Sequence, residues 1–181
     1  MKKILRKNLL NNRKKKYLDI SAKHISNIFE FIKNKYKNIK IIGGYVPINY
    51  EFDCLSLLKF LETKNYIISL PVIENNSKMD FYKYSFKDPL KLNKLGIPEP
   101  FKSSTKLVPD LILVPLVGYD NCLNRLGYGG GFYDRYFEKN LSLGQIHKIG
   151  LAFSFQKIKK LPVNNFDKKL DGIITEKKII L

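Results

Sequence analysis

"PDLILVPLVGYDNCLNRLGYGGGFYDRYF", Pro109 to Phe137, runs from an unbroken apolar stretch through a polar loop into four glycines within five positions, then into an aromatic segment. A short continuous apolar run bounded by Pro109 and Gly118 has the form of a buried strand. Phe132, Tyr133, Tyr136 and Phe137 fall on one face of a helix, with Asp134, Arg135 and Glu138 available to the other. The glycines therefore stand between a strand and a helix start, joined by the loop "GYDNCLNRL" (118–126). Glycine loses more backbone freedom on folding than any other residue, so a cluster this dense implies that something must approach the chain closely. A helix start presents unpaired N–H groups and the positive end of a dipole, which suits an anion. Gly127, Gly129, Gly130 and Gly131 would let the backbone meet that anion with no Cβ in the way. Two familiar phosphate loops are excluded: no Gly-Lys dipeptide follows, and Phe132 stands where a dinucleotide fingerprint needs its third glycine. A flexible turn remains the alternative on residue chemistry alone.

Helical and strand-like periods alternate on either side of this stretch. Residues 2–16 and 19–37 are predicted helices, the second carrying Ile20, His24, Ile28, Phe31 and Ile32 on one side. "IKIIGGYV" (39–46) reads as a strand leaving through Pro47, and Cys54–Thr63 as the helix after it. "YIISLPV" (66–72) and "KMDFYKYSF" (78–86) are further strands. The segment 87–105, with Pro89, Pro98 and Pro100, reads as an irregular excursion. "HKIGLAF" (147–153) and "DGIITEKKIIL" (171–181) supply the terminal strands. This alternation predicts an α/β fold with a mostly parallel central sheet flanked by helices. No repeat or long linker divides the chain, so residues 1–181 are read as a single domain. In such sheets ligands bind outside the carboxyl ends of the strands, where the glycine run lies.

Composition narrows the class. Hydrophobic residues make up 44% of the 181-residue chain and aromatics 13%, which excludes a disordered protein. No apolar run reaches the ~18 residues that span a bilayer. Arg6, Lys7 and Asn8 interrupt the apolar start, so the expected location is cytoplasmic, with no membrane partner. Cys54 and Cys122 lack metal spacing and read as idle thiols. The net charge of +17 raises a polyanionic partner, but it is nearly all lysine spread along the chain. Only four arginines occur, Arg6, Arg13, Arg125 and Arg135, and two flank the glycines. Where lysine is the default cation, arginine hints that a planar multi-donor group is wanted.

The signature "NRLGYGGGFYDRYF" after "PDLILVPLVGYD" resembles that of the 5-formyltetrahydrofolate cyclo-ligase (methenyltetrahydrofolate synthetase) family. "KKILR" (2–6), "YVPINYEFD" (45–53), "GIPEP" (96–100) and "LPVNNFDKKLD" (161–171) resemble further family segments, in the expected order. The resemblance implies a three-layer-like fold similar to the sugar-phosphate isomerase and CoA transferase enzymes. It also implies an ATP- and Mg²⁺-dependent ring closure of 5-formyltetrahydrofolate to 5,10-methenyltetrahydrofolate, through phosphorylation of the formyl oxygen, with release of ADP and phosphate.

Residue by residue, it places Lys2, Lys3, Ile4, Leu5 and Arg6 on ATP; Lys2 and Arg6, four apart, share a helical face. Arg125, Leu126, Gly127, Tyr128, Gly129, Gly130, Gly131, Phe132 and Tyr133 carry over as the ATP loop, with Tyr128 to Phe132 also lining the folate. Val46 and Glu51 carry over as substrate contacts, Glu51 accepting from N–H groups of the pterin. Asp134 and Asp167 carry over as Mg²⁺ ligands, with Asp171 competing for the second place and a capping role open to Asp134. Other members place a lysine or another residue where this chain has Gly130; Arg135 is the candidate for the γ-phosphate, and with Arg125 completes the catalytic pair. His24 and His147 match no motif and are read as structural. The expected partner is the folate, with polyglutamylated forms favoured by the basic surface, and no nucleic acid; a monomer is expected. The competing readings are a basic nucleic-acid-binding module, and an isomerase- or transferase-like enzyme on the same fold.

Overall fold

The strand Leu111–Pro115 sorts its side chains between two cores. Leu111 and Leu113 join one apolar cluster, Ile112 and Val114 another, and all four are fully buried. That period-2 division is what a strand covered on both faces requires. The computed structural model describes residues 1–75 and 78–181. In chain order its elements are α1 (Lys2–Lys15), α2 (Ala22–Lys35), β1 (Ile41–Gly43), α3 (Cys54–Thr63), β2 (Ile67–Asn75), β3 (Lys78–Tyr84), β4 (Lys91–Leu92), β5 (Pro98–Glu99), β6 (Lys106–Leu107), β7 (Leu111–Pro115), β8 (Gly118–Tyr119), β9 (Arg125–Leu126), α4 (Phe132–Lys139), β10 (His147–Leu151), β11 (Gly172–Ile174) and β12 (Ile179–Ile180).

Eight strands form the main sheet in the order β12-β11-β10-β7-β1-β2-β3-β6. The pairings from β11 through β2 are parallel; β12, β3 and β6 add antiparallel edges. Helices α2 and α3 cover one face through Ile25, Ile28 and Ile32 and through Leu57, Leu58 and Leu61. Both begin at side-chain caps: Ser21 Oγ accepts from the His24 N–H, and Asp53 Oδ1 from the Ser56 N–H at 3.0 Å. The other face receives Tyr136 and Phe137 of α4. Each buried apolar side chain of this kind contributes about 1.5–3 kcal/mol. The three-layer α/β architecture expected from the sequence is thus present. Among the described residues no helix is long and apolar enough to cross a membrane.

Three boundaries differ from the sequence reading. The run 109–120 is two strands, because the carbonyls after β7 are taken by side chains: Leu116 O accepts from Arg13 Nη1 and Gln156 Nε2, and Val117 O from Gln156 Nε2. The chain then turns into the separate hairpin β8–β9. Strand β1 is shorter than 39–46, since the chain leaves the sheet at Gly44, where a Cβ would lie 2.5 Å from Leu58. The excursion 87–105 contains the hairpin β4–β5, held by buried Glu99, whose Oε2 accepts from the Ile73 N–H and from Asn93 Nδ2.

Candidate active site

The parallel sheet changes direction between β1 and β7: the chain proceeds from β1 to β2 on one side and from β7 to β10 on the other. Loops leaving the two strands diverge and open a crevice at their carboxyl ends. A cleft of about 1820 Å³ occupies that place. Tyr45 and Val46 beyond β1 and Pro115 at the end of β7 line its floor, with Ile48, Ile73 and Ile97 adding an apolar flank.

One wall is the glycine loop. Gly131 caps α4 at φ 67° and Gly129 has φ 106°, left-handed conformations that side chains other than glycine rarely adopt. A Cβ on Gly131 would lie 2.7 Å from Arg135 Nη1. Gly127 faces open space, and its carbonyl accepts from Arg6 Nε at 2.7 Å. Arg135 Nη2 donates to Gly130 O at 2.7 Å, with the guanidinium 5.3 Å from the Phe132 ring centre. Tyr128, Phe132 and Tyr133 complete this wall.

A second wall comes from α1 and the segment 164–167. Lys2 Nζ donates to Asp167 Oδ2 at 2.8 Å, and both residues line the cleft with Arg6. The pairing with Lys2 is the largest influence opposing burial at Asp167 and leaves its carboxyl below the usual range. Asn164 Oδ1 accepts from the N–H groups of Phe166 and Asp167, a turn that leaves Phe166 81% exposed at the lip. Lys3, Ile4 and Leu5 do not line the cleft, unlike Lys2 and Arg6. Lys3 and Ile4 face solvent and Leu5 packs against the Leu9 cluster, because only an i, i+4 pair of a helix shares the face turned inward.

Asp134 lies in the first turn of α4 without capping it. Its Oδ1 accepts from Arg125 Nη2 at 2.8 Å and from the Lys168 N–H at 2.9 Å. Arg125, its side chain 6% exposed, also donates to Lys168 O, so its fork ties the glycine loop to the late segment. Asp134 and Asp167 both line the cleft; Asp171 does not, being bonded to the Lys148 N–H of β10 just before β11 begins. Among the described residues no cluster of three metal-ligating side chains occurs. Among the described residues the hydrogen bonds to Asp134 use Oδ1 and those to Asp167 use Oδ2.

Glu51 is 3% exposed and lines the cleft beside Val46. Its Oε2 accepts from the Ile48 N–H at 2.9 Å, while Oε1 is buried without a hydrogen-bond partner. Burial pushes the carboxyl up to about 7, against the Ile48 N–H, the Arg13 guanidinium and the nearby Tyr128 hydroxyl, all of which favour its charge. A half-satisfied buried carboxylate is costly, which marks it as waiting for donors.

The profile of the 5-formyltetrahydrofolate cyclo-ligase family matches residues 1–176 of this chain. The chain belongs to that family. The 5-formyltetrahydrofolate cyclo-ligase of Haemophilus influenzae is 32% identical over 159 residues, covering 84% of this chain and 82% of the relative. That of Escherichia coli K12 is 31% identical, covering 76% and 79%. The solved 5,10-methenyltetrahydrofolate synthetase of Aquifex aeolicus superposes with a TM-score of 0.77 at 30% identity, over 99% of this chain and 91% of that one. The Mycoplasma pneumoniae synthetase superposes at 0.72 with 27% identity, over 97% and 98%. The protein is accordingly an enzyme of a ligase family.

Arg13 escaped the sequence reading as a site residue. It is 1% exposed, inside the fold beside Glu51 and Tyr128, although it sits among lysines at the end of α1. The available signal was the scarcity of arginine in a lysine-rich chain. The hairpin β4–β5, which brings Lys91, Lys94 and Lys102 to the cleft, was hidden by its prolines. His24, bonded to Ser21, and His147, against Tyr36, lie outside the cleft.

Proposed function

We propose that this protein closes the ring of 5-formyltetrahydrofolate to 5,10-methenyltetrahydrofolate, using ATP and Mg²⁺ and releasing ADP and phosphate. The observation that carries the reading is Glu51, whose unbonded carboxylate oxygen shares one cleft with the glycine loop. A pterin presents adjacent N–H groups that match such an acceptor. The formyl oxygen is a poor leaving group, so it attacks the γ-phosphorus and ADP departs. N10 then attacks the formyl carbon, the carbon–oxygen bond breaks with loss of phosphate, and N10 gives up its proton. Phosphoryl transfer of this kind depends on positioning and charge neutralisation.

Lys2 and Arg6 face the triphosphate from α1, and the glycine loop supplies close backbone approach. Arg135 is the cation assigned to the γ-phosphoryl group, and Arg125 holds Asp134 in place from the same wall. Bound Mg²⁺, held by Asp134 and Asp167, would neutralise charge on the phosphate oxygens. Val46, Tyr128 and Phe132 border the folate. Lys91, Lys94 and Lys102 at the far mouth suit the carboxylates of a glutamate tail. The test is the methenyl absorbance band, expected to grow only when 5-formyltetrahydrofolate, ATP and Mg²⁺ are all present; a flat trace with all three rejects the reading.

A further inference from the structure

Arg13 heads the fully buried side chains among the described residues by size, and all three arms of its guanidinium are used. Nε donates to Asn49 O at 2.9 Å, Nη1 to Leu116 O at 3.1 Å, and Nη2 to the Tyr128 hydroxyl. Nη1 also lies 4.0 Å from Glu51 Oε1. Four separate pieces of chain therefore converge on one side chain: the end of α1, the turn before Glu51, the exit of β7 and the glycine loop.

The turn before Glu51 needs such a hold. Asn49 and Tyr50 are consecutive left-handed residues, at φ 48° and 62°. The cost is roughly 1–2 kcal/mol for Tyr50 and smaller for Asn49, whose short amide tolerates this region, so the turn persists because its surroundings impose it. Arg13 grips it by the Asn49 carbonyl, and the Ile48 N–H closes it on Glu51 Oε2. A lysine could not do this: one ammonium offers no planar fork to reach three acceptors at once.

We propose that Arg13 is a positioning residue that makes Glu51 and Tyr128 one rigid unit, so that the pterin-facing carboxylate and the glycine loop are set by the same guanidinium. The inference rests on the folate reading of Glu51. The groups around that carboxylate are Arg13 from α1, Tyr45 after β1, Cys54 at the start of α3, Tyr128 from the glycine loop and Tyr133 from α4. Arg13 is the cation among them, so it favours the ionised carboxylate. Ionised Glu51 accepts at both oxygens; once protonated, one of them becomes a donor facing the pterin's own donors.

The experiment measures 5-formyltetrahydrofolate affinity against pH by calorimetry in the native protein, Arg13→Met and Arg13→Lys, with the Glu51 carboxyl carbon followed by NMR in the ligand-free proteins. Arg13→Met is expected to raise the midpoint of both titrations by about one pH unit or more. Arg13→Lys is expected to move them less, while still lowering kcat because the Tyr128 and Asn49 contacts are lost. An unmoved midpoint in Arg13→Met, or native kcat and midpoint in Arg13→Lys, overturns the proposal. If Arg13→Met does not fold, the lysine variant alone decides. Failure of the folate reading would show separately, as native folate affinity in Glu51→Gln, because the NMR titration reports the grip of Arg13 on Glu51 with no ligand present.

Discussion

Lys2 Nζ lies 2.8 Å from Asp167 Oδ2, tying the first turn of the chain to a segment 165 positions later across the lip of the cleft. Arg125 and Asp134 repeat the arrangement nearby at 2.8 Å, both bonded to Lys168 beside Asp167. Each carboxylate assigned to Mg²⁺ is thus held by a cation assigned to the nucleotide side. The partly exposed Lys2–Asp167 pair contributes little to stability, about 0–1 kcal/mol, whereas Arg125, its side chain 6% exposed, depends on Asp134 to balance a buried charge. Both pairs keep oppositely charged groups together in a cleft awaiting an anion and a cation.

Asp134→Asn is expected to lower stability by about 1–3 kcal/mol, since the buried Arg125 guanidinium loses its counter-charge, and to raise the Mg²⁺ concentration for half-maximal activity. Changes to groups that merely orient metal ligands cost about 10–100-fold, and loss of a ligand should cost at least that. The folate KM should stay within a small factor. A native Mg²⁺ requirement in this variant removes Asp134 from the metal site.

Glu51 links function to stability through pH. Its folded value, about 7, is raised above the ordinary 4.5 because burial outweighs Arg13 and the Ile48 N–H. A raised carboxyl value means the folded state holds the proton more tightly, so the contribution is full below about 4.5 and lost as pH rises through about 7. Glu51→Gln should gain stability relative to the native protein between pH 5 and pH 8, by about 1–3 kcal/mol, and lose folate affinity far more than ATP affinity. Denaturant melts and calorimetry measure the two; parallel stability curves, or equal losses for both ligands, contradict the assignment.

The glycines are separable. Gly131→Ala places a Cβ at φ 67° against Arg135 and should destabilise by about 1–2 kcal/mol while weakening ATP binding. Gly127→Ala meets no atom within 4 Å and should melt within about 0.5 kcal/mol of the native protein. Equal melting temperatures for the two variants would show that backbone conformation is not what the loop requires.

The chain contains no tryptophan. Phe166→Trp therefore installs a single reporter at the exposed lip beside the Lys2–Asp167 pair. Its emission should shift when MgATP is added and stay constant with 5-formyltetrahydrofolate alone. The reverse pattern would place the nucleotide elsewhere in the cleft.

Polyglutamylated folate should show a lower KM than the monoglutamate, and the advantage should shrink as salt screens the lysines of the β4–β5 hairpin. Replacing Lys94 and Lys102 with alanine should abolish the difference without changing the monoglutamate KM. Equal KM values for both substrates in the native protein dispose of the idea.

The architecture was legible because its signals are local. The run from Leu111 to Val114 is apolar at every position, which demands cover on both faces, and the dense glycines after it mark a backbone of unusual conformation or close approach. Elements flanked by strong periodicity, such as α2 and α3, came out close to their observed limits. The split at Leu116 was not legible, since it depends on Arg13 and Gln156 arriving from distant parts of the chain to take the carbonyls. The prolines of segment 87–105 likewise concealed a hairpin that Glu99 anchors from within.

The amino-acid sequence by itself determined a doubly covered, mostly parallel sheet, a glycine loop at the ends of its strands and the family to which the chain is similar. Those properties follow from residue type and spacing within short stretches. Only the tertiary structure decided that Arg13 is buried, that its guanidinium joins Glu51 to Tyr128, and that Lys2 and Arg6 turn inward while Lys3 and Ile4 do not. The physical reason is that burial and pairing of a charge depend on what packs around it; at a lysine-rich helix end the choice of arginine over lysine is a hint, and only the packing shows which cation is buried.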